Sequence, residues 1–308
     1  MKIITQQSFG GPEVLEVTEA PIPAVTPGDV LVEVRAIGVN PVDANVRAGY
    51  YPILGEPPFT LGWDVAGVVR AVGAGVEGLG VGDRVLGMPR FPEQAATYAE
   101  FVVAPAAQLA RVPDRLDDEA AAALPLVGLT AWQALVQIAG VGPGMRVLVQ
   151  AAGGGVGHVA VQIAKARGAH VVATASTGKV DFVRGLGADE VVDYTTTPLA
   201  GIDPADVVVD PFGGDRLLEA IRLTRSGGHV TVLLGDIGPQ AQALADERAV
   251  RISRVGVVPD AEALAGLLGL VERGELTPHV QAAFPLEKAA DAHAELTRGV
   301  QGKLVLVP

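Results

Sequence analysis

The stretch AAGGGVGHVAV, Ala151 to Val161, follows the apolar run RVLVQ and leads into HVAVQIAKARG. Strand, glycine turn and helix in that order build a phosphate site. The first turn of a helix has N–H groups without intrahelical partners and carries a partial positive charge. Set against G-x-G-x-x-G, Ala152 takes the first position, Gly154 the second and Gly157 the third. Gly154 lets a pyrophosphate approach the backbone, and Gly157 lets the helix pack on its sheet. Val156, Ala160, Ile163 and Ala164 share one helical face. The segment Gly153, Gly154, Gly155, Val156 and Gly157 is therefore expected to cradle a dinucleotide.

A second cluster, GAGVEG at Gly73 to Gly78, matches the pattern letter for letter but is followed by LGVGDRVLG, another turn and strand. Without a helix behind it, it reads as a hairpin turn. The strand after the Ala151 motif ends HVVATASTGK. NAD binding calls for a carboxylate there to hold the ribose 2′-OH. Here Ser176 offers a donor and Lys179 a counter-charge, which favours the 2′-phosphate of NADP(H).

From Arg146 onward, apolar runs alternate with helical stretches, the rhythm of a parallel sheet covered on both faces. Up to about Ala120 the text is strand-like, as in VLVEVRA and DVAGVVRAVG. A helix over Ala261 to Arg273 is expected to close the second unit, and a helix and strand end the chain. The uncharged segment Ala120 to Met145 is broken by Pro125, Gly128, Gln133 and Gln137, and reads as a buried helix rather than a membrane span.

The chain has 308 residues, enough for two domains, with 49% hydrophobic residues and a formal net charge of -12. That charge argues against nucleic acid and anionic membranes as partners. There is no cysteine, so disulfides, thiolate metal sites and cysteine nucleophiles are excluded. MKIITQQSFGG lacks the long apolar core of a signal peptide, which predicts a cytoplasmic protein.

GPEVL, GVNPVDANVRAGYYP, GWDVAGVV, GVGDRV, AALPLVGLTAW, AAGGGVG, GADEVVDY and GKLVLVP, taken together, resemble the zinc-independent medium-chain dehydrogenase/reductases, in the quinone oxidoreductase and zeta-crystallin branch. The resemblance runs nearly end to end. It implies an α/β chain with a GroES-like β-barrel domain, residues 1–122 completed by 276–308, and a doubly wound Rossmann domain over 123–275. It implies cofactor contacts at the glycine loop, Lys179 and Tyr194, with a further 2′-phosphate contact from Arg298. Asn40 and Thr130 are implied to stand beside the nicotinamide. It also implies a homodimer joined through Rossmann sheet edges, for which GGHVTVLLG is a candidate.

Zinc-dependent members of the superfamily carry His-Glu where this chain has Trp63-Asp64, and a cysteine near Asn40. All five histidines lie at or after the glycine loop, leaving only carboxylates in the N-terminal part of the barrel, a poor donor set for zinc. Without a Lewis acid a simple ketone is a hard substrate, whereas a quinone or a conjugated enone delocalises the charge that hydride brings. Tyr51, Tyr50 and Asn40 are the candidate donors, and Tyr51 matches a tyrosine near the substrate of related enoyl reductases. Asp43 and Arg47 are expected to form an ion pair, Asp64 to be structural and His158 to face solvent. The expected function is NADPH-dependent reduction of a small quinone or α,β-unsaturated carbonyl. A 2-enoyl thioester reductase and a non-catalytic NADPH-binding protein are the alternatives.

Overall fold

The computed structural model describes residues 1–308. The first stretch of chain forms β1 (Lys2–Gln6), β2 (Glu16–Glu19), β3 (Asp29–Val39), α1 (Pro41–Arg47), β4 (Phe59–Thr60), β5 (Val65–Val72), β6 (Arg84–Gly87), β7 (Phe101–Pro105), β8 (Leu109–Arg111), α2 (Asp118–Ala122) and α3 (Pro125–Trp132). Then strands and helices alternate: β9 (Arg146–Val149), α4 (Gly155–Ala166), β10 (His170–Ala175), α5 (Val180–Gly185), β11 (Glu190–Asp193), β12 (Ala205–Asp210), α6 (Gly214–Arg222), β13 (Thr224–Val232), α7 (Pro239–Arg248) and β14 (Arg251–Arg254). The tail holds α8 (Ala261–Glu272), β15 (Val280–Pro285), α9 (Ala289–Leu296) and β16 (Lys303–Val307).

The chain divides into two compact units, one of Met1–Leu129, Val258–Glu272 and Thr277–Pro308, the other of Thr130–Val257 and Arg273–Leu276. In the first unit, a seven-stranded sheet runs β15-β16-β3-β5-β6-β8 with β7 also paired to β3, beside a three-stranded sheet β2-β1-β4. The tail strand β16 lies antiparallel to β3, with Leu304 opposite Val39 and Leu306 opposite Ile37. Val30, Val32, Val34 and Ala36 of β3 are buried, which is the alternation that VLVEVRA announces.

The second unit is a six-stranded parallel sheet in the order β11-β10-β9-β12-β13-β14. The connections after β9 and β12 diverge to opposite sides, so the crevice at the carboxyl ends of β9 and β12 is the switch point at which doubly wound sheets bind ligands. All six residues of β12 are buried, as a strand covered on both faces requires.

Several local expectations change. GAGVEG connects the antiparallel pair β5 and β6, with Gly75 and Gly78 at positive φ, so it is a turn of the first unit. GGHVTVLLG is not an edge: β13 is paired to β12 on one side and β14 on the other, and Arg251–Arg254 is the edge strand. The helix Ala261–Glu272 belongs to the first unit, where the Leu267 side chain packs against Gly128. The uncharged segment takes in the end of α2, then α3, which starts at Pro125, and a π-helical turn over Gln133–Ile138. No helix is long and apolar enough to cross a membrane.

A methyl group at Gly157 would stand 2.3 Å from the Ala151 carbonyl oxygen and 2.7 Å from Ala152 Cα. Gly157→Ala is expected to lower stability by about 1–3 kcal/mol. Gly142→Ala, with nothing within 4 Å of the added carbon, should stay within about 0.5 kcal/mol of the parent. Urea unfolding of the two variants beside the parent chain measures the contrast.

Candidate active site

In the second unit, the turn after β9 hangs on both neighbouring strands. Gln150 N–H donates to the Val209 carbonyl at 3.2 Å, and Ala152 N–H to the Thr174 carbonyl at 2.9 Å. Ala151 takes φ +49°, a left-handed conformation that turns the chain into the Gly154 N-cap of α4. The N–H groups of Gly155, Val156 and Gly157 open the helix and have no acceptor within it. His158, expected at the solvent, is fully buried, and its Nδ1–H donates to the Gly154 carbonyl at 3.0 Å. It braces the turn from inside.

The Lys179 stem lies across this turn: a carbon on Gly153 would be 2.8 Å from Lys179 Cδ. Burial lowers the Lys179 pKa. Ser176 follows β10 directly, and its carbonyl accepts the Lys179 N–H at 2.8 Å. Tyr194 N–H reaches back to the Ala175 carbonyl at 3.2 Å, and its side chain is exposed. Ser176, Lys179 and Tyr194 thus gather at the carboxyl ends of β10 and β11, beside the glycine turn. Parallel pairing also brings Asp193 there, opposite Ala175, a residue passed over because it ends a different strand. Its carboxylate accepts from Thr177 Oγ1 at 2.7 Å, Thr195 Oγ1 at 2.6 Å and Thr195 N–H at 2.9 Å. The Thr195 hydroxyl, then that of Thr177, holds its pKa below the ordinary value.

In the first unit, Tyr50 is 83% and Tyr51 41% exposed, and both backbone N–H groups donate to the Asn45 carbonyl at the end of α1, at 2.9 and 3.2 Å. Asn40, the expected nicotinamide neighbour, follows β3 and caps α1. It is fully buried, with Nδ2 donating to Asp64 Oδ2 at 2.8 Å and to the Gly38 carbonyl at 3.3 Å. Both amide hydrogens are committed, so no donor is left for a substrate oxyanion. Thr130 sits on α3, nearly buried. Arg298 follows α9, exposed and paired with Glu295 at 2.7 Å.

Three side chains that the sequence did not single out, Lys303, His293 and Tyr98, complete the barrel cluster. The buried Lys303 ammonium donates to Asn40 Oδ1 at 2.5 Å and the Val39 carbonyl at 2.8 Å, with Asp64 Oδ2 at 3.4 Å. Asp64 Oδ1 accepts the Leu126 N–H at 2.7 Å. Burial pushes Asp64 up and Lys303 down, and each opposes the other's shift. With three donors on it, Asp64 is the ionised carboxyl of the cluster. Nor does Arg47 pair with Asp43. Its Nη1 donates to His293 Nδ1 at 2.9 Å, so the His293 proton is on Nε2, directed at Tyr98 Oη at 2.9 Å. The Tyr98 hydroxyl is then left to donate to Asp43 Oδ2 at 3.3 Å, which also takes the Asn40 N–H at 2.7 Å.

The family model described as zinc-binding dehydrogenase matches residues 186–306, and that of the alcohol dehydrogenase GroES-like domain residues 26–114. The quinone oxidoreductase of Rattus norvegicus is 34% identical over 326 residues, covering 100% of this chain and 98% of the relative. The chain belongs to the quinone oxidoreductase branch of the medium-chain dehydrogenase/reductases. A quinone oxidoreductase structure from Coxiella burnetii superposes with a TM-score of 0.93 at 34% identity, over 100% of this chain and 99% of that one. That of Escherichia coli, solved with NADPH, gives 0.88 at 29%, over 100% of both chains. The chain is also 39% identical over 290 residues, 91% of its length, to a segment making up 5% of polyketide synthase GfsB of Streptomyces halstedii.

The zinc in the family description finds no fit in this member of the branch. No group of three His, Cys, Asp or Glu side chains is placed to hold a metal ion. Asn40 and Asp64 already surround an ammonium, which repels a dication. The GroES-like barrel and the Rossmann sheet are those that the motifs imply.

Opposite pH signatures mark two members of the Arg47–His293–Tyr98–Asp43 chain. Burial raises Asp43 from 3.8 to about 7, so between about pH 4 and 7 the native state holds a proton that the unfolded chain has released, and this contribution to stability falls as pH rises. Burial lowers His293 from 6.5 to about 3, so between those values the unfolded chain holds the extra proton and stability rises with pH. Relative to the parent, Asp43→Asn should gain stability as pH rises through its window, and His293→Gln should lose it through the other. Thermal unfolding across pH 3 to 8 reads both slopes.

Proposed function

We propose that this chain is an NADPH-dependent, metal-free oxidoreductase that delivers hydride to a quinone or an α,β-unsaturated carbonyl. The observation that carries it is the Lys179 stem lying over Gly153, at the end of a strand that closes in Ser176 rather than in a carboxylate. A helix N-terminus, a lysine and a serine in one place suit a pyrophosphate and a 2′-phosphate together. The carboxylate at the end of β11, Asp193, has its charge turned toward threonine hydroxyls. The likeness to a quinone oxidoreductase solved with NADPH supports the same cofactor.

NADP(H), when bound, supplies the hydride. Gly154, Gly155, Val156 and Gly157 would hold its pyrophosphate, and Ser176, Lys179 and Tyr194 its 2′-phosphate end. Thr130 and Arg298 are carried over from the family resemblance as further contacts. With Lys303 in the barrel cluster and no metal to polarise a carbonyl, a conjugated acceptor is the suitable substrate, since hydrogen-bond donors suffice for its delocalised charge. Asn40 has no free donor, so Tyr51, whose hydroxyl is unpaired, is the residue to hold the developing enolate or to protonate it. The open backbone edge of β14 supports pairing with a second copy, and a cytoplasmic homodimer is part of the proposal. The similarity to a polyketide synthase segment favours a second reading, reduction of a 2-enoyl thioester.

Lys179→Ala should weaken NADPH by about 1–3 kcal/mol and NADH much less; fluorescence titration of both cofactors measures this, and equal losses would remove the 2′-phosphate assignment. A panel of benzoquinones, naphthoquinones, short enals and enoyl thioesters with NADPH should show steady cofactor oxidation with the first three. Turnover confined to thioesters would select the second reading, and none at all would leave a binding protein. Tyr51→Phe should lower kcat for an enone roughly 10²–10⁴-fold with KM little changed. Quinones should suffer less, because hydroquinone takes its protons from solvent.

A further inference from the structure

Lys303 makes no contact that the proposed reaction uses, yet it is the most deeply buried cation of the first unit. Its side chain is 3% exposed. An ammonium has three N–H groups, and the three neighbours of Nζ are the Val39 carbonyl at the end of β3, Asn40 Oδ1 at the start of α1, and Asp64 Oδ2. Through its other oxygen Asp64 holds Leu126 N–H in the first turn of α3. One side chain from the last strand therefore ties together β3, the N-terminus of α1 and the N-terminus of α3.

Stability alone is a poor account of this arrangement. Two ions moved out of water lose hydration that their mutual attraction scarcely restores, and neutral groups of similar volume often serve a fold equally well. What neutral groups do not reproduce is direction. Fixing Asn40 by its side chain sets where α1 begins. The other end of α1 carries the Asn45 carbonyl that accepts both the Tyr50 and Tyr51 N–H groups.

We propose that Lys303 is a positioning residue for the reductase reaction: its ammonium, acting through Asn40 and Asp64, fixes α1 and so the backbone segment that presents Tyr51. The proposal rests on the role given to Tyr51 above. Lys303→Met alone strands the Asp64 charge and is expected to destabilise the chain strongly. The informative protein is the full chain carrying both Lys303→Met and Asp64→Asn, which removes both charges and nearly keeps both volumes. It should melt within about 5 °C of the parent. Its Tyr50 and Tyr51 amides should exchange hydrogen at least about tenfold faster. Its kcat for an enone should fall at least about tenfold, with NADPH affinity within about threefold. Adding Tyr51→Phe to it should cost far less than Tyr51→Phe costs the parent, because both changes disable one group.

Parent-like exchange at Tyr50 and Tyr51 overturns the proposal. So does an unchanged kcat, or a loss that simply adds to that of Tyr51→Phe. Failure of the doubly substituted chain to fold overturns it too, since the pair would then be a requirement of the fold. Hydrogen exchange needs no turnover. If the parent oxidises NADPH with no acceptor, the proposed reaction fails while the exchange rates still decide whether Lys303 positions this segment.

Discussion

A lysine ammonium sealed in a β-barrel must have its three hydrogens received by protein atoms, because a buried charge without hydrogen-bond partners is too costly to keep. In this chain that requirement joins positions far apart in sequence: Lys303 in the last strand, and Val39, Asn40 and Asp64 near the start. The antiparallel pairing of β16 with β3 brings the ends together, and the ammonium bonds across them at the point where β3 gives way to α1. The same place in a zinc-dependent relative would need soft ligands. Here an amide and a carboxylate surround a cation that the chain itself supplies. Asp64 keeps its charge because the Asn40 amide, the Lys303 ammonium and the Leu126 N–H all donate to it.

The second unit answers a different constraint. A helix whose first N–H groups are to face an anion must not spend them on its own cap. Gly154 accordingly supplies no side-chain cap to α4, and the turn is held from behind by the Thr174 and Val209 carbonyls and from within by His158. Gly157 lies so close to the Ala151 carbonyl that no side chain fits. Ala151 bears the positive φ that a glycine would adopt without strain.

Asp43, Asp64 and His293, the buried groups of the barrel that by type could serve as acids or bases, are engaged in hydrogen bonds with neighbouring side chains. The line Arg47, His293, Tyr98, Asp43 resembles a proton wire, but its outer end is a guanidinium, which donates and does not release its proton. A wire needs every member to give and receive. The line therefore orients Asp43, which in turn takes the Asn40 N–H, and the start of α1 is held by its backbone on one side and by its side chain on the other. Tyr51, by contrast, is exposed with an unpaired hydroxyl.

The parallel sheet, the glycine turn and the absence of a carboxylate after β10 were legible in the sequence, because each depends on neighbours within a few residues. Continuous apolar runs mark strands covered on both faces, and a strand, three glycines and an amphipathic helix leave few other structures open. The hairpin nature of GAGVEG could be read for the same reason. What escaped were contacts made across the sheet order. Asp193 stands beside Thr177 because β11 pairs with β10, the edge strand is Arg251–Arg254 because β14 adds outside β13, and His158 is buried by its packing. Asn40 spends its amide hydrogens on Asp64 and the Gly38 carbonyl while its oxygen receives Lys303, and Arg47 turns from Asp43 to His293, with Lys303 and His293 both brought in by the C-terminal tail. Local periodicity and turn chemistry decide which elements form. Which polar groups find each other in the interior is decided only when distant strands close around them, since a buried charge takes whatever partner the closed fold brings within reach.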